Sequence, residues 1–252
     1  MKNKIEINIL VFILIEALFL LFFIKYSFLN IIVGEIIGIL LIYIDKKNEC
    51  NSKMTILYKI IAILIIIISF FKIINFINYT YLKNYSILLI TLSLLITTLY
   101  IVQKKYHTFI KVIEIICYLI FILKILSFIS IIPLLNSVEI NSFDYSLDYH
   151  FIYYALFIFL LYKYMNTYFT YKISIKTLII SIINPFIIKL SSMNIMGFFL
   201  FNNSSYPYVD YLKYIKYFDF IERMEGIFSF EYLICFITLL SFLLLFIKKH
   251  NH

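Results

Sequence analysis

The sequence predicts an all-α, polytopic helical membrane protein of about eight transmembrane helices, forming a single membrane domain over residues 1–252. Three observations lead there. The chain is 63% hydrophobic and 14% charged, whereas a soluble domain carries about 25% charged residues, so polar side chains are too few to coat a water-facing surface. Apolar runs long enough to cross a bilayer recur along the chain, and they do not alternate as barrel strands do; the run Ile61–Phe70 is one example. Lipid cannot hydrogen-bond a backbone, so such runs must be helices. Lastly, basic residues alternate in density from one connection to the next.

The expected spans are Ile7–Phe28, Ile31–Tyr43, Ile56–Ile77, Ser86–Val102, Phe109–Leu135, Phe151–Met165, Leu178–Leu200 and Ile227–Ile247. The first has no small-residue cleavage site after it and reads as a retained helix, not a signal peptide. The second is short unless Leu29, Asn30 and Ile44 join it, and the sixth is short and interrupted by Lys163. Thirteen lysines (2, 4, 46, 47, 53, 59, 104, 105, 111, 172, 176, 248 and 249) collect on one side of this arrangement. The other side collects Lys25, Lys83, Lys213 and Lys216, together with the lysine-free loop Asn136–His150, which carries Glu139, Asp144 and Asp148. The positive-inside rule then sets both termini in the cytoplasm.

The formal charge of +8 is spread in ones and twos between apolar runs, with no aromatic-interleaved basic groove, so no nucleic-acid partner is expected. Cys50, Cys117 and Cys235 are far apart, and His107 and His150 are isolated, so neither a disulfide framework nor a metal site is expected. No cofactor motif occurs. No Ser/His/Asp grouping, phosphate-binding glycine loop or paired catalytic carboxylate emerges, and the chain does not read as an enzyme.

Ionisable residues within apolar spans are costly and are therefore the candidates for a ligand path. These are Glu16, Lys124 and Glu231. Glu16 and Lys124 have comparable depth and form the first expected pair, read either as mutual neutralisation or as a polar element of a ligand or ion path. Glu35 lies beside Gly34, and Lys189 follows Asn184-Pro185, where a kink can free backbone groups. Lys72 and Lys163 lie nearer span ends and are expected to snorkel to the headgroups.

The segment Asn202–Glu225 is aromatic-rich with scattered polar residues, which fits an interfacial helix or helical hairpin started by Pro207. Its Tyr206-Pro207 and Phe220-Ile221-Glu222-Arg223-Met224-Glu225 resemble the hallmark of the B subunits of spore germinant receptors, GerAB-like permeases of the amino acid–polyamine–organocation superfamily. Tyr106 through Glu114 adds a weaker likeness, although His107 and Thr108 stand where that family usually has glycine. The family-motif residues are Tyr206, Pro207, Glu222, Arg223 and Glu225. The resemblance implies a short or truncated version of the LeuT-like fold, in which about ten spans form two inverted five-helix repeats. It further implies sensing or binding of a small nutrient such as an amino acid, in the bacterial inner membrane of cell or spore. An A-type membrane subunit and a C-type lipoprotein would be the partners, with membrane lipid around them.

Two other readings stand beside it: an amino-acid permease, and a membrane-embedded glycan-handling enzyme using the outer-loop acids. The first and sixth spans contain neither Gly nor Pro, the usual marks of a helix break at a substrate site. Glu222, Arg223 and Glu225 are also explained as an anchored helix start, where carboxylates complement the dipole.

Overall fold

The computed structural model describes residues 2–45, 52–82, 86–104, 146–168, 175–214 and 225–249, with scattered positions between 111 and 132. Among these, every regular element is helical. The chain runs α1 (Lys2–Leu18), a π-helical stretch (Phe19–Phe23), α2 (Phe28–Asp45), α3 (Ser52–Thr80), α4 (Ile87–Gln103), α5 (His150–Tyr168), α6 (Ile175–Met196), α7 (Phe198–Asn203), α8 (Pro207–Asp210), a 3₁₀ turn (Tyr211–Tyr214) and α9 (Glu225–Lys249).

The helix starts follow from short-range chemistry. Ser27 precedes α2, and its hydroxyl accepts from Asn30 N at 3.2 Å, satisfying one of the orphan amides of the first turn. Ser86 caps α4 through Leu89 N in the same way. Pro207 opens α8, where its missing N–H costs nothing. The end of α6 departs from the expected Leu200. Gly197 adopts φ 75°, a conformation that side-chain-bearing residues rarely take, and the chain turns there into α7. Lys163 does not interrupt α5, which is helical across it to Tyr168.

Packing departs from chain order. The first helix and its π stretch are buried from Leu10 through Ile24 except for the half-buried Phe12 and Phe22, and α1 lies against α6 and α9. In turn α9 also packs on α3 and α4, while α2 and α5 form the most extensive helix pair among the described residues. That pair is close because α2 offers Gly34 and Gly38 one turn apart. A Cβ at Gly34 would stand 2.7 Å from the Phe151 carbonyl oxygen, and one at Gly38 3.2 Å from that of Ala155. Small residues at this spacing let two backbones approach. The first helix meets α5 through rings of its π stretch: Phe23 lies 4.8 Å from Tyr154 and 5.1 Å from Phe157, centroid to centroid.

Apolar side chains stand on the outside as well as in the core. Outward faces are apolar: Ile32, Ile36 and Leu40 on α2, and Ile60, Ile63, Leu64, Ile67, Ile68 and Phe71 on α3. The interior holds Glu16 (0% exposed), Lys189 (2%), Glu231 (3%) and Lys163 (8%). Among the described residues one helix, Ile60–Thr80, is both long and apolar enough to cross a membrane by itself. The apolar stretches Leu10–Phe23, Phe28–Ile44, Ile87–Gln103, His150–Lys163 and Ser229–Leu245 are shorter.

The two ends of the bundle are identified by contacts. At one end Lys248 Nζ reaches Val102 O at 3.3 Å and Thr177 Oγ1 reaches Asn8 Oδ1 at 3.1 Å. At the other, Ser27 Oγ donates to Ser146 O at 2.5 Å, Asp148 N donates to Asn30 Oδ1 at 2.9 Å, and Tyr81 Oη donates to Gly226 O at 3.2 Å.

Candidate functional site

The first helix ends without Gly or Pro, yet it does not stay α-helical. Its last turns widen into the π stretch Phe19–Phe23, and the chain then turns at Ile24–Tyr26. A helix end leaves carbonyls without intrahelical partners, and buried carbonyls need donors. Lysines supply them. Lys72 Nζ, from α3, donates to Leu21 O at 2.6 Å and sits 4.4 Å above the Phe22 ring. Lys189 Nζ, from α6, donates to Tyr26 O and lies 4.7 Å above the Phe28 ring. Lys25 Nζ donates outward to Asn202 O at 3.2 Å. The expected snorkelling of Lys72 and Lys163 is therefore corrected. Lys72 turns inward to a main-chain oxygen, and Lys163 is buried within the bundle. Carbonyls with a partial negative charge and aromatic faces are both good environments for an ammonium.

Opposite this break stands the segment 204–214. Asp210 is its hub. Its carboxylate accepts from Ser204 Oγ, from Lys213 Nζ and, at 2.8 Å, from Tyr79 Oη. Burial pushes the Asp210 pKa up, but the hydrogen bonds from Lys213, Ser204 and Tyr79 and the Lys213 charge outweigh it and hold the carboxyl below its usual range. Burial likewise disfavours the Lys213 ammonium, and the Asp210 hydrogen bond and charge reverse that, so its pKa is raised. Tyr206 is pushed up to about 12 by burial and by the neighbouring Tyr79. The rings turn inward: Tyr208 stacks on Phe76 at 5.9 Å and meets Tyr232 edge-on at 5.1 Å.

Between the break and this segment lies a cavity of about 500 Å³, whose lining includes Lys25, Tyr26, Lys72, Ser205, Tyr206 and Tyr208, with Leu20, Leu21, Phe22 and Ile24 as apolar wall. A second cavity of about 420 Å³ lies across Ser205 and Tyr206, lined also by Asn75, Asn78 and Tyr79. Both fall within the usual range for small-molecule sites.

No known protein family, curated protein or solved structure matches this chain. The site must therefore be read from its own residues.

Of the sequence-derived ligand-path residues, the structure brings Glu16 and Glu231 to one region. They lie on the packed helices α1 and α9, and both carboxylates act electrostatically on the Tyr232 phenol, whose oxygen is 3.4 Å from Tyr211 Oη. Lys124 lies outside the described residues, so the Glu16–Lys124 pair does too. Tyr206 and Pro207 line and start the segment over the cavity. Glu222 and Arg223 fall outside the described residues, and Glu225 begins α9 with its side chain outside them. Among the described residues no three His, Cys, Asp or Glu side chains converge as a metal site would require.

Sequence reasoning assigned no site role to Lys25, Tyr26, Lys72 or Tyr208. One signal was available for the scaffold: Gly34 and Gly38 form a G-x-x-x-G spacing, a mark of close helix crossing. None was available for the lysines, because their acceptors are main-chain carbonyls distant in sequence: Leu21 O for Lys72 and Asn202 O for Lys25.

Proposed function

We propose that this chain is a polytopic helical protein of the bacterial inner membrane, of cell or spore, and that it binds a small nutrient in the manner of a germinant-receptor B subunit. It is a non-catalytic, multi-pass protein with about eight spans and both termini cytoplasmic. A truncated inverted-repeat arrangement is the finer form of this reading.

The membrane part is supported by the apolar outer faces of the bundle, with Ile and Leu stripes outside while Glu16, Glu231, Lys163 and Lys189 are buried. Water would penalise that arrangement on both counts, whereas hydrocarbon favours the stripes and drives charges inward, at roughly 2.5–3.5 kcal/mol for each one left facing lipid. The observation that carries ligand binding is the cavity of about 500 Å³ directly beneath the Tyr206-Pro207 element. A pocket with an apolar wall and a few convergent polar groups is the default small-molecule site. The resemblance supplies the nutrient class and the partners, an A-type membrane subunit and a C-type lipoprotein.

The test is a thermal-shift screen of the full chain, purified from alkali-washed membranes, against small nutrients, both amino acids and organic acids. A cognate ligand at a hundredfold excess over its Kd stabilises by about 2.7 kcal/mol, and this is the expected response for one or a few members of the set. Recovery of the chain in the soluble fraction refutes the membrane reading, and a flat screen refutes nutrient binding. Sustained uptake of the stabilising amino acid into reconstituted vesicles makes the protein a permease instead.

A further inference from the structure

We propose that the cavity beneath Tyr206 takes an organic anion without an ammonium group, with its anionic head between Lys25 and Lys72 and its apolar body against Leu20, Phe22 and Ile24. This rests on the small-ligand reading above and names the ligand's charge.

Lys25 and Lys72 come from different elements and both line the cavity. Each donates to a main-chain carbonyl, Asn202 O and Leu21 O respectively, which occupies one of the three donors of an ammonium. Among the described residues no Asp or Glu lines this cavity; Asp210, the acid nearest in sequence, is engaged by Lys213, Ser204 and Tyr79. Two cations on one partly apolar cavity with no counter-charge repel each other, and a bound anion relieves that repulsion. Ser205 and Tyr206 add hydroxyl donors to the lining, and an anionic oxygen is the best acceptor for them.

The same geometry disfavours an ammonium. The carbonyls at the helix break that would accept one, Leu21 O and Tyr26 O, are already held by Lys72 and Lys189. Asn75 and Asn78, with neutral acceptors, line the neighbouring cavity and not this one. The ligand chemistry is an anionic oxygen head on a compact apolar body, which a free carboxylate or an anionic lipid headgroup can both provide.

The full chain is reconstituted in nanodiscs of phosphatidylcholine, and its unfolding midpoint is followed with isocaproate, the carbon skeleton of leucine without the amine, and with leucine. Isocaproate is expected to raise the midpoint more than leucine does. Lys25→Gln and Lys72→Gln are each expected to weaken isocaproate roughly tenfold or more, Lys72→Arg to retain it, and Lys104→Gln, which does not line the cavity, to leave it unchanged. Should Lys72→Gln fail to fold, the variant of the exposed Lys25 carries the test. Stabilisation by phosphatidylglycerol discs that disappears in the Lys25 and Lys72 variants supports the same site with a lipid head as its anion. Tighter binding of leucine than of isocaproate overturns the anion proposal and leaves nutrient binding standing, as does isocaproate binding that ignores both lysines. No response to any amino acid, isocaproate or phosphatidylglycerol overturns both.

Discussion

Substituting Gly34 by alanine tests the packing that holds α2 against α5. The added Cβ would lie 2.7 Å from the Phe151 carbonyl oxygen, with Tyr154 carbons at 3.0 and 3.1 Å. Ordinary contact begins at 3.4 Å, so the helices must separate by about 0.7 Å along that line. The obstacle is backbone, which cannot rotate aside as a side chain can. Overpacking of this kind costs about 1–3 kcal/mol, and the better helix propensity of alanine returns about 1 kcal/mol. The net expectation is a loss of about 0–2 kcal/mol, and much more for Gly34→Leu. Gly38→Ala meets the Ala155 carbonyl and Ile158 at 3.2 Å and should lose less. A Cβ at Gly226 meets nothing within 4 Å among the described residues, so Gly226→Ala should be neutral or slightly stabilising. Denaturant unfolding in detergent micelles gives the order directly. If Gly34→Ala matches Gly226→Ala, or Gly38→Ala is the worse of the pair, the close crossing is wrong.

The Asp210 network should show in the pH dependence of stability. A carboxyl held below its usual value contributes fully above its unfolded pKa, near 3.8, and that contribution is lost as pH falls through the lower folded value. The raised Lys213 contributes below its ordinary 10.5 and is lost as pH rises through its folded value. Melting temperatures of wild type and Asp210→Asn should therefore differ most at neutral pH and converge in strong acid; a constant gap refutes the assignment. Lys72→Met removes the donor to Leu21 O, and the buried carbonyl left behind should cost about 1–3 kcal/mol, which Lys72→Arg should largely restore. Equal stability of Met and Arg variants in an unfolding titration refutes the lysine cap.

Much of the architecture was legible because its causes are local. Ser86 before an apolar run, Pro207 at a helix start and uninterrupted Ile and Leu stretches each act within a few residues. Phe28–Asp45 took in Leu29, Asn30 and Ile44 as expected of a short span needing extension. The end of α6 was misplaced because a single residue, Gly197, makes the turn inside an otherwise apolar run. Lys163 was read as an interruption because a charge in an apolar run suggests an exposed end, but a long stem and buried surroundings keep it within α5. At the site, Glu16 and Glu231 announced themselves as carboxylates inside apolar runs and are buried on adjoining helices. Lys72 was misread for the opposite reason: its acceptor lies 51 residues away on another helix.

That distance explains why the break in the first helix escapes notice. A helix interrupted by Gly or Pro carries its cause in its own sequence, whereas Phe19-Leu-Leu-Phe-Phe23 has neither. The aromatic residues of this stretch are poor local reasons to leave the α-helix. Their rings instead gain partners in the widened form, where Phe22 and Phe23 pack on Phe157 and Lys72 covers Phe22. The carbonyl freed at Leu21 meets an ammonium, and a hydrogen bond to a charged donor contributes about 1.5–3 kcal/mol, enough to offset one displaced main-chain bond. Lys72 is thus both the donor that stabilises the break and a wall of the cavity the break opens. The cavity and the end of the first helix therefore share one side chain, and a change at Lys72 reaches both.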